Sequence, residues 1–163
     1  MKTKYIMTPM IMMAFAVFLA GCTSSLKPIF NKTYSLTLKV EAYVANADVE
    51  TFVNTIDNLK PPINILIQSV DYIGNNTNKE DVQESLAKIS NILKTVLLVA
   101  EEVNVENVEQ KKEELLVEIT NVKDSMEETA LKLNIKVDRP RVGKVTLAML
   151  EQDIRDLEEM LKD

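Results

Sequence analysis

Apolar residues fall at alternating steps of four and three along most of this chain. Val82, Leu86, Ile89, Leu93, Val96, Ala100 and Val103 make one such run. Val108, Lys112, Leu115, Ile119, Val122, Met126, Thr129 and Leu133 make the next, with Lys112 and Thr129 as polar intrusions. At 3.6 residues per turn each run occupies one helix face, and the strict alternation is that of a packed seam between helices. A turn at Asn104–Asn107, with Asn107 as a cap, predicts that the two helices form an antiparallel hairpin. Leu97, Leu98 and Val99 directly follow Val96, so the first of the pair is apolar over more than one face and should lie between two neighbours.

Shorter stripes flank this hairpin. Ile63, Leu66, Ile67, Val70 and Ile73 line one face between Pro61-Pro62 and Gly74-Asn75-Asn76. Proline suits the first helical residue, and the residue before a proline avoids helical geometry, so Pro61-Pro62 ends one helix and opens the next. Thr77-Asn78-Lys79-Glu80 has the form of a capping box for the helix that follows. Ile135 to Val145 is interrupted by Pro140 and Gly143. Leu147, Leu150, Ile154, Leu157 and Leu161 then predict a last helix from about Thr146 to Lys162. Glu84–Lys88, Glu128–Lys132 and Glu151–Arg155 stand four apart on outer faces, the spacing of a favourable ion pair.

The stretch from Tyr34 to Leu59 reads two ways. Tyr34, Leu36, Leu38, Val40, Ala42 and Val44 alternate as in a strand. Leu38, Ala42, Ala45, Val49, Phe52, Ile56 and Leu59 recur as in one long helix. The helical pattern covers more residues and needs no partner strand, so a helix is the reading, with its first two turns open to extension. The whole pattern predicts an all-α fold: an antiparallel bundle of four to five helices with heptad-like packing. Its stripes can face one another within one chain or receive a partner helix.

The beginning of the chain differs. Lys2 and Lys4 precede a mostly apolar run from Ile6 to Leu19, closed by the small residues Ala20 and Gly21. That is the layout of a secretory signal, and the run is shorter than the roughly 20 apolar residues of a membrane-spanning helix. The closing Leu19-Ala20-Gly21-Cys22 resembles the lipobox of bacterial lipoproteins at all four positions. The resemblance covers residues 1–22 only. It implies cleavage between Gly21 and Cys22, a diacylglyceryl group on the Cys22 sulfur, and acylation of the new amino terminus. No other cofactor is expected. Cys22 is the only cysteine, and lipidation accounts for a secreted chain with one thiol. Two or more acyl chains hold a protein firmly on a membrane. In Gram-negative members of this class an aspartate after the cysteine favours the inner membrane; Thr23 therefore points to the outer membrane, on its periplasmic or surface face. The expected organisation is a signal peptide at 1–21, a short tether at 22–32 around Pro28, and a bundle domain at 33–163. The chain departs from the major short outer-membrane lipoprotein of enteric bacteria, which is one unbroken helix with a terminal lysine; this one has breaks and ends in Asp163.

Composition narrows the chemistry. The net charge is −6, and loss of Lys2 and Lys4 with the signal makes the remainder more acidic still. That argues against nucleic acid as a partner. The chain has no histidine, which removes the usual general base near neutral pH and the usual zinc ligand. The carboxylate pairs Glu101-Glu102, Glu113-Glu114, Glu127-Glu128 and Glu158-Glu159 are sequence neighbours, about 100° apart on a helix, and so do not converge on one substrate atom. Asp71, Asn75, Asn76, Asn78 and Asp81 offer oxygen ligands at spacings that do not fit a calcium loop. No catalytic or metal site is predicted. One local feature stands out: Lys132, Lys136, Arg139, Arg141 and Lys144 face a single acid, Asp138, in an acidic chain. Lys136, Arg139, Arg141 and Lys144 are candidate ligands for lipid phosphates or envelope glycans. The same charges would also suit a solvated connection beside the negative end of a helix. The expected function is a membrane-anchored, non-enzymatic envelope scaffold, adaptor or binding protein, with an envelope protein as a possible partner. The alternative is an anionic-lipid or glycan binder acting through residues 132–144.

Overall fold

The computed structural model describes the backbone of residues 10–162 and the side chains from Ser25 to Lys162. The helices are α1 (Met10–Asn46), α2 (Val49–Thr55), α3 (Lys60–Asn75), α4 (Glu80–Glu101), α5 (Val108–Leu133) and α6 (Leu147–Met160), with a 3-10 turn at Ile56–Leu59. Five of them are long enough to build the bundle and α2 is a two-turn cap, so the all-α architecture is that predicted by the pattern. Among the described residues there is no strand, and no helix is long and apolar enough to cross a membrane.

The polarity of each helix follows from its partners. Tyr34 meets Glu127, Glu41 meets Lys123, and the carbonyls of Ala45 and Ala47 meet Lys112, so α5 runs antiparallel to α1. Ser85 meets Lys132 and Glu102 meets Lys111, so α4 is antiparallel to α5. Lys39 meets Asp153 and Lys32 meets both Asp153 and Asp156, so α6 is also antiparallel to α1. The helices α5 and α6 are therefore parallel. The chain between them must run back along the bundle, which is why residues 135–145 are extended and without regular structure.

The seams of α4 and α5 are buried as their spacing predicts, and α4 lies between α3 and α5. Stripes of one chain thus cover each other, and the described fold needs no partner helix to bury them. Lys112 is explained as well: its ammonium donates to the carbonyls of Ala47 (2.6 Å) and Ala45 (3.3 Å) at the end of α1, where free acceptors and the helix dipole favour a cation.

Four expectations are corrected. The segment 22–32 is not a tether: residues 22–32 lie within α1, and Leu26, Ile29 and Phe30 are buried in the core. The region 34–59 is helical but not one helix, since α1 ends at Asn46 and the chain restarts at Val49. Its seam is also displaced. Leu26, Phe30, Thr33, Thr37, Val40 and Val44 are buried, whereas Leu38 and Ala42 are half-buried and Ala45 is exposed. Thr33 and Thr37 can face the core because each hydroxyl donates to a backbone carbonyl one turn back, at Ile29 (2.7 Å) and Thr33 (3.1 Å). The capping box does not form: Lys79 takes the cap position of α4, and the Thr77 hydroxyl accepts from the Lys79 amide at 3.4 Å. Finally, none of the three (i, i+4) pairs on outer faces is ion-paired among the described residues. Lys132 instead donates to Ser85 and Arg155 to Gln152.

The run read for α5 ends at Leu133, where the helix ends, and the structure shows how it is closed. Asn134 takes the left-handed conformation (φ 56°), its amide donates to Leu131, and the Ile135 amide reaches back to Ala130 at 2.8 Å. This is a Schellman closure, in which Asn stands where Gly is commoner and buried Ile135 supplies the apolar contact.

Candidate functional site

The lipobox, Leu19 to Cys22, with its cleavage position at Gly21 and Cys22, lies outside the residues whose side chains are described; only its backbone belongs to α1. Among the described side chains, which begin at Ser25, Leu26 is already buried, four positions after Cys22. At 1.5 Å per helical residue, that is about 6 Å of rise.

The basic connection is spread along the bundle. Lys136 and Arg139 line a shallow hollow of about 630 Å³ with Pro28, Asn31, Lys32 and Met160. Arg139 is neutralised there, because its guanidinium donates to Glu127 at 2.5 Å. Lys32 is engaged by two aspartates. Asp138 lines the same hollow. Lys136 is thus the one cation of this hollow without a carboxylate partner among the described residues. Arg141 and Lys144 are exposed further along the extended segment and do not line it. The four candidate anion ligands are therefore not brought to one point.

Two polar clusters that the pattern did not single out hold this side of the molecule together. In the first, Asp153 of α6 is 4% exposed. Its two oxygens accept from Lys32 (2.8 Å) and Lys39 (2.5 Å), and Lys32 also reaches Asp156 at 2.6 Å. Burial works against the Lys32 charge, but Asp153 and Asp156 outweigh it and hold its pKa above the usual value. Lys32 in turn keeps the Asp156 carboxyl below its usual value. In the second, the buried Tyr34 hydroxyl donates to Glu127 Oε1, whose other oxygen takes Arg139. Burial, then the Glu127 carboxylate, push Tyr34 up to about 12, with Arg139 acting in the opposite sense.

A sequence signal for the first cluster did exist. Asp153 stands three residues after Leu150 and four before Leu157, on the face those two leucines share, and Lys32 and Lys39 are two turns apart on one face of α1. Tyr34–Glu127 had no such signal, because it depends on the register between α1 and α5. A second groove of about 740 Å³ follows these helices, with Tyr34, Leu38, Glu41, Thr120 and Lys123 on its walls and Arg139, Pro140 and Val142 across it. Its charges are satisfied internally: Glu41 accepts from Lys123 (2.7 Å) and Thr120 (3.0 Å). Among the described residues, no three carboxylates or other ligating side chains come together where they could hold a metal.

No protein-family model, curated protein or solved structure matches the chain.

Proposed function

We propose that this chain is a bacterial lipoprotein, held on a membrane by diacylglycerol and an acyl chain on Cys22. We propose further that its helical bundle serves as an envelope scaffold, adaptor or binding protein rather than as an enzyme. The observation that carries the reading is the four-position match of Leu19-Ala20-Gly21-Cys22 at the end of a basic-then-apolar leader. Thr23 in place of aspartate supports the outer membrane over the inner. The position of Leu26 gives the reading a geometric consequence. A bundle with a core residue four positions after the acylated cysteine lies close to the headgroups. Its partners are then components at the membrane surface.

The anchor is tested first by mass spectrometry of the protein from cells that process lipoproteins. A chain beginning at Cys22 and carrying acyl mass is expected, and a folded soluble chain with unmodified Cys22 overturns the reading. In-cell crosslinking of the wild type against Cys22→Ala then addresses the adaptor role. A protein captured only by the anchored form supports it; no difference between the two counts against it.

A further inference from the structure

Helix α6 is seated firmly but tied loosely. Its seat is formed by α1 and α3. It buries Leu150, Asp153 and Leu157 there, and Asp153 and Asp156 meet Lys32 and Lys39 of α1. The connection that leads to it has no such fixing. Among the described residues, residues 136–145 make no backbone–backbone hydrogen bond. Arg139 is fastened to Glu127. Beyond it Pro140, Arg141, Gly143 and Lys144 are exposed and Val142 is half-buried, until Val145 re-enters the core. The space around Gly143 is open.

The connection is also longer than its path. Lys136 and Met160 line the same hollow, so the chain climbs the length of α6 before turning into it. From Leu147 to Met160 that length is about 20 Å of helical rise. From Lys136 to Leu147 the extended chain reaches up to about 36 Å. The difference exceeds the roughly 8–10 Å between the axes of packed helices. The connection can therefore deliver α6 to a bundle lying alongside.

We infer that the partner of the α1–α3 face is a second copy of this chain: two molecules exchange α6, and each seats it on α1 and α3 of the other. The seat itself specifies the occupant. Lys32 and Lys39 accept a helix that carries a carboxylate between two leucines on one face, and α6 of another copy presents that set unaltered. The closed and exchanged forms share these contacts, so the seat favours neither, and chain concentration decides between them. Residues up to Arg139 stay on their own bundle, and the crossover falls in the exposed stretch 140–144. The exchange does not depend on the lipid anchor. Where Cys22 is anchored, every copy has the same end at the leaflet, and exchange about an axis parallel to the bundle keeps it there.

The test uses the full chain, purified from cells in mild detergent. Unlabelled and heavy-nitrogen chains are unfolded together in urea and refolded at low and at high concentration. A carbodiimide then joins ammonium groups to the carboxylates they touch. Mass spectrometry reads the linked Lys32–Asp156 peptides, whose groups lie 2.6 Å apart. In exchanged dimers about half of these should carry one label of each kind, and the share should fall on dilution. Linked peptides of like label only, at every concentration, overturn the exchange. Absence of the link does so too, because α6 then lacks this seat on α1. A second arm reverses the charges. Chains with Asp153→Lys/Asp156→Lys, and chains with Lys32→Asp/Lys39→Asp, each bring like charges together when closed. Both seats become complementary only when the two kinds exchange α6. Produced together with different tags, they should capture each other about ten-fold more than their own kind. Equal capture points to another interface and overturns the exchange. If the reversed chains fail to accumulate, the labelled wild type decides alone. Neither arm bears on Cys22, whose acylation is read separately.

Discussion

The Asp153 cluster allows a prediction in which the order of three variants matters more than any one value. Asp153 has a side chain 5% exposed, and the two ammonium groups that neutralise it come from chains 26% and 22% exposed. A buried carboxylate stripped of its cations loses about 3–5 kcal/mol relative to the intact cluster, because its desolvation is no longer offset. Lys32→Met/Lys39→Met should therefore destabilise the bundle by about 3 kcal/mol, at the low end of that range since Lys32 and Lys39 are themselves partly hydrated. Asp153→Asn leaves no stranded anion. Its two lysines can turn toward water, and Lys32 keeps Asp156, so the loss should be about 1–2 kcal/mol. The triple variant, with both lysines replaced by Met and Asp153 by Asn, should be more stable than the double variant, since the group whose burial was costly is gone. Urea unfolding followed by far-ultraviolet circular dichroism measures all three, with unchanged slopes confirming that the same surface unfolds. A triple variant as unstable as the double one would refute the reasoning: the loss would then come from packing of the lysine stems between α1 and α6, not from the charge.

Other outcomes follow from the same contacts. Phe30 is fully buried, so Phe30→Ala should cost about 3–5 kcal/mol in urea unfolding; a negligible loss would restore the tether at 22–32. Lys112→Met should cost about 1 kcal/mol and increase amide exchange at the end of α1, because the carbonyls of Ala45 and Ala47 lose their charged donor. On the alkaline side, Tyr34 binds its proton more tightly when folded, with a pKa of about 12 against a usual 10.0. Its contribution is thus complete below pH 10 and disappears as the pH rises toward 12. Lys32, also raised, acts in the same sense above 10.5. Tyr34→Phe should make stability fall less steeply across that window and remove a tyrosinate absorbance step near pH 12. Asp156, held low by Lys32, works in the opposite direction: its contribution is present above pH 3.8 and is lost as the solution is acidified further.

How far the pattern could be read depended on where polar atoms found partners. The seam of α4 was legible from Val82 to Ala100 because every buried position but Ser90 is apolar. The seam of α1 was not. Thr33 and Thr37 look like surface residues until their hydroxyls are seen to bond the preceding turn, and Pro28 looks like a linker although α1 runs through it. The basic run from Lys132 to Lys144 was visible as composition. Its dispersal came from the parallel arrangement of α5 and α6, which stretches the connection along the bundle. Asp153 shares a helix face with Leu150 and Leu157, but its partners lie more than a hundred positions away on α1.

The sequence by itself determined the local terms. The 4,3 spacing decided that the chain is helical, the prolines and asparagines decided where most helices break, and the leader with its single cysteine carries the reading of an anchor. These depend on residues within one or two turns of each other, where periodicity and backbone chemistry act directly. Only the tertiary structure decided which face of α1 is core, and which lysines are neutralised and which remain free. Those outcomes depend on helix direction and register. Both are settled by how all the stripes are buried together, and no single segment contains that information.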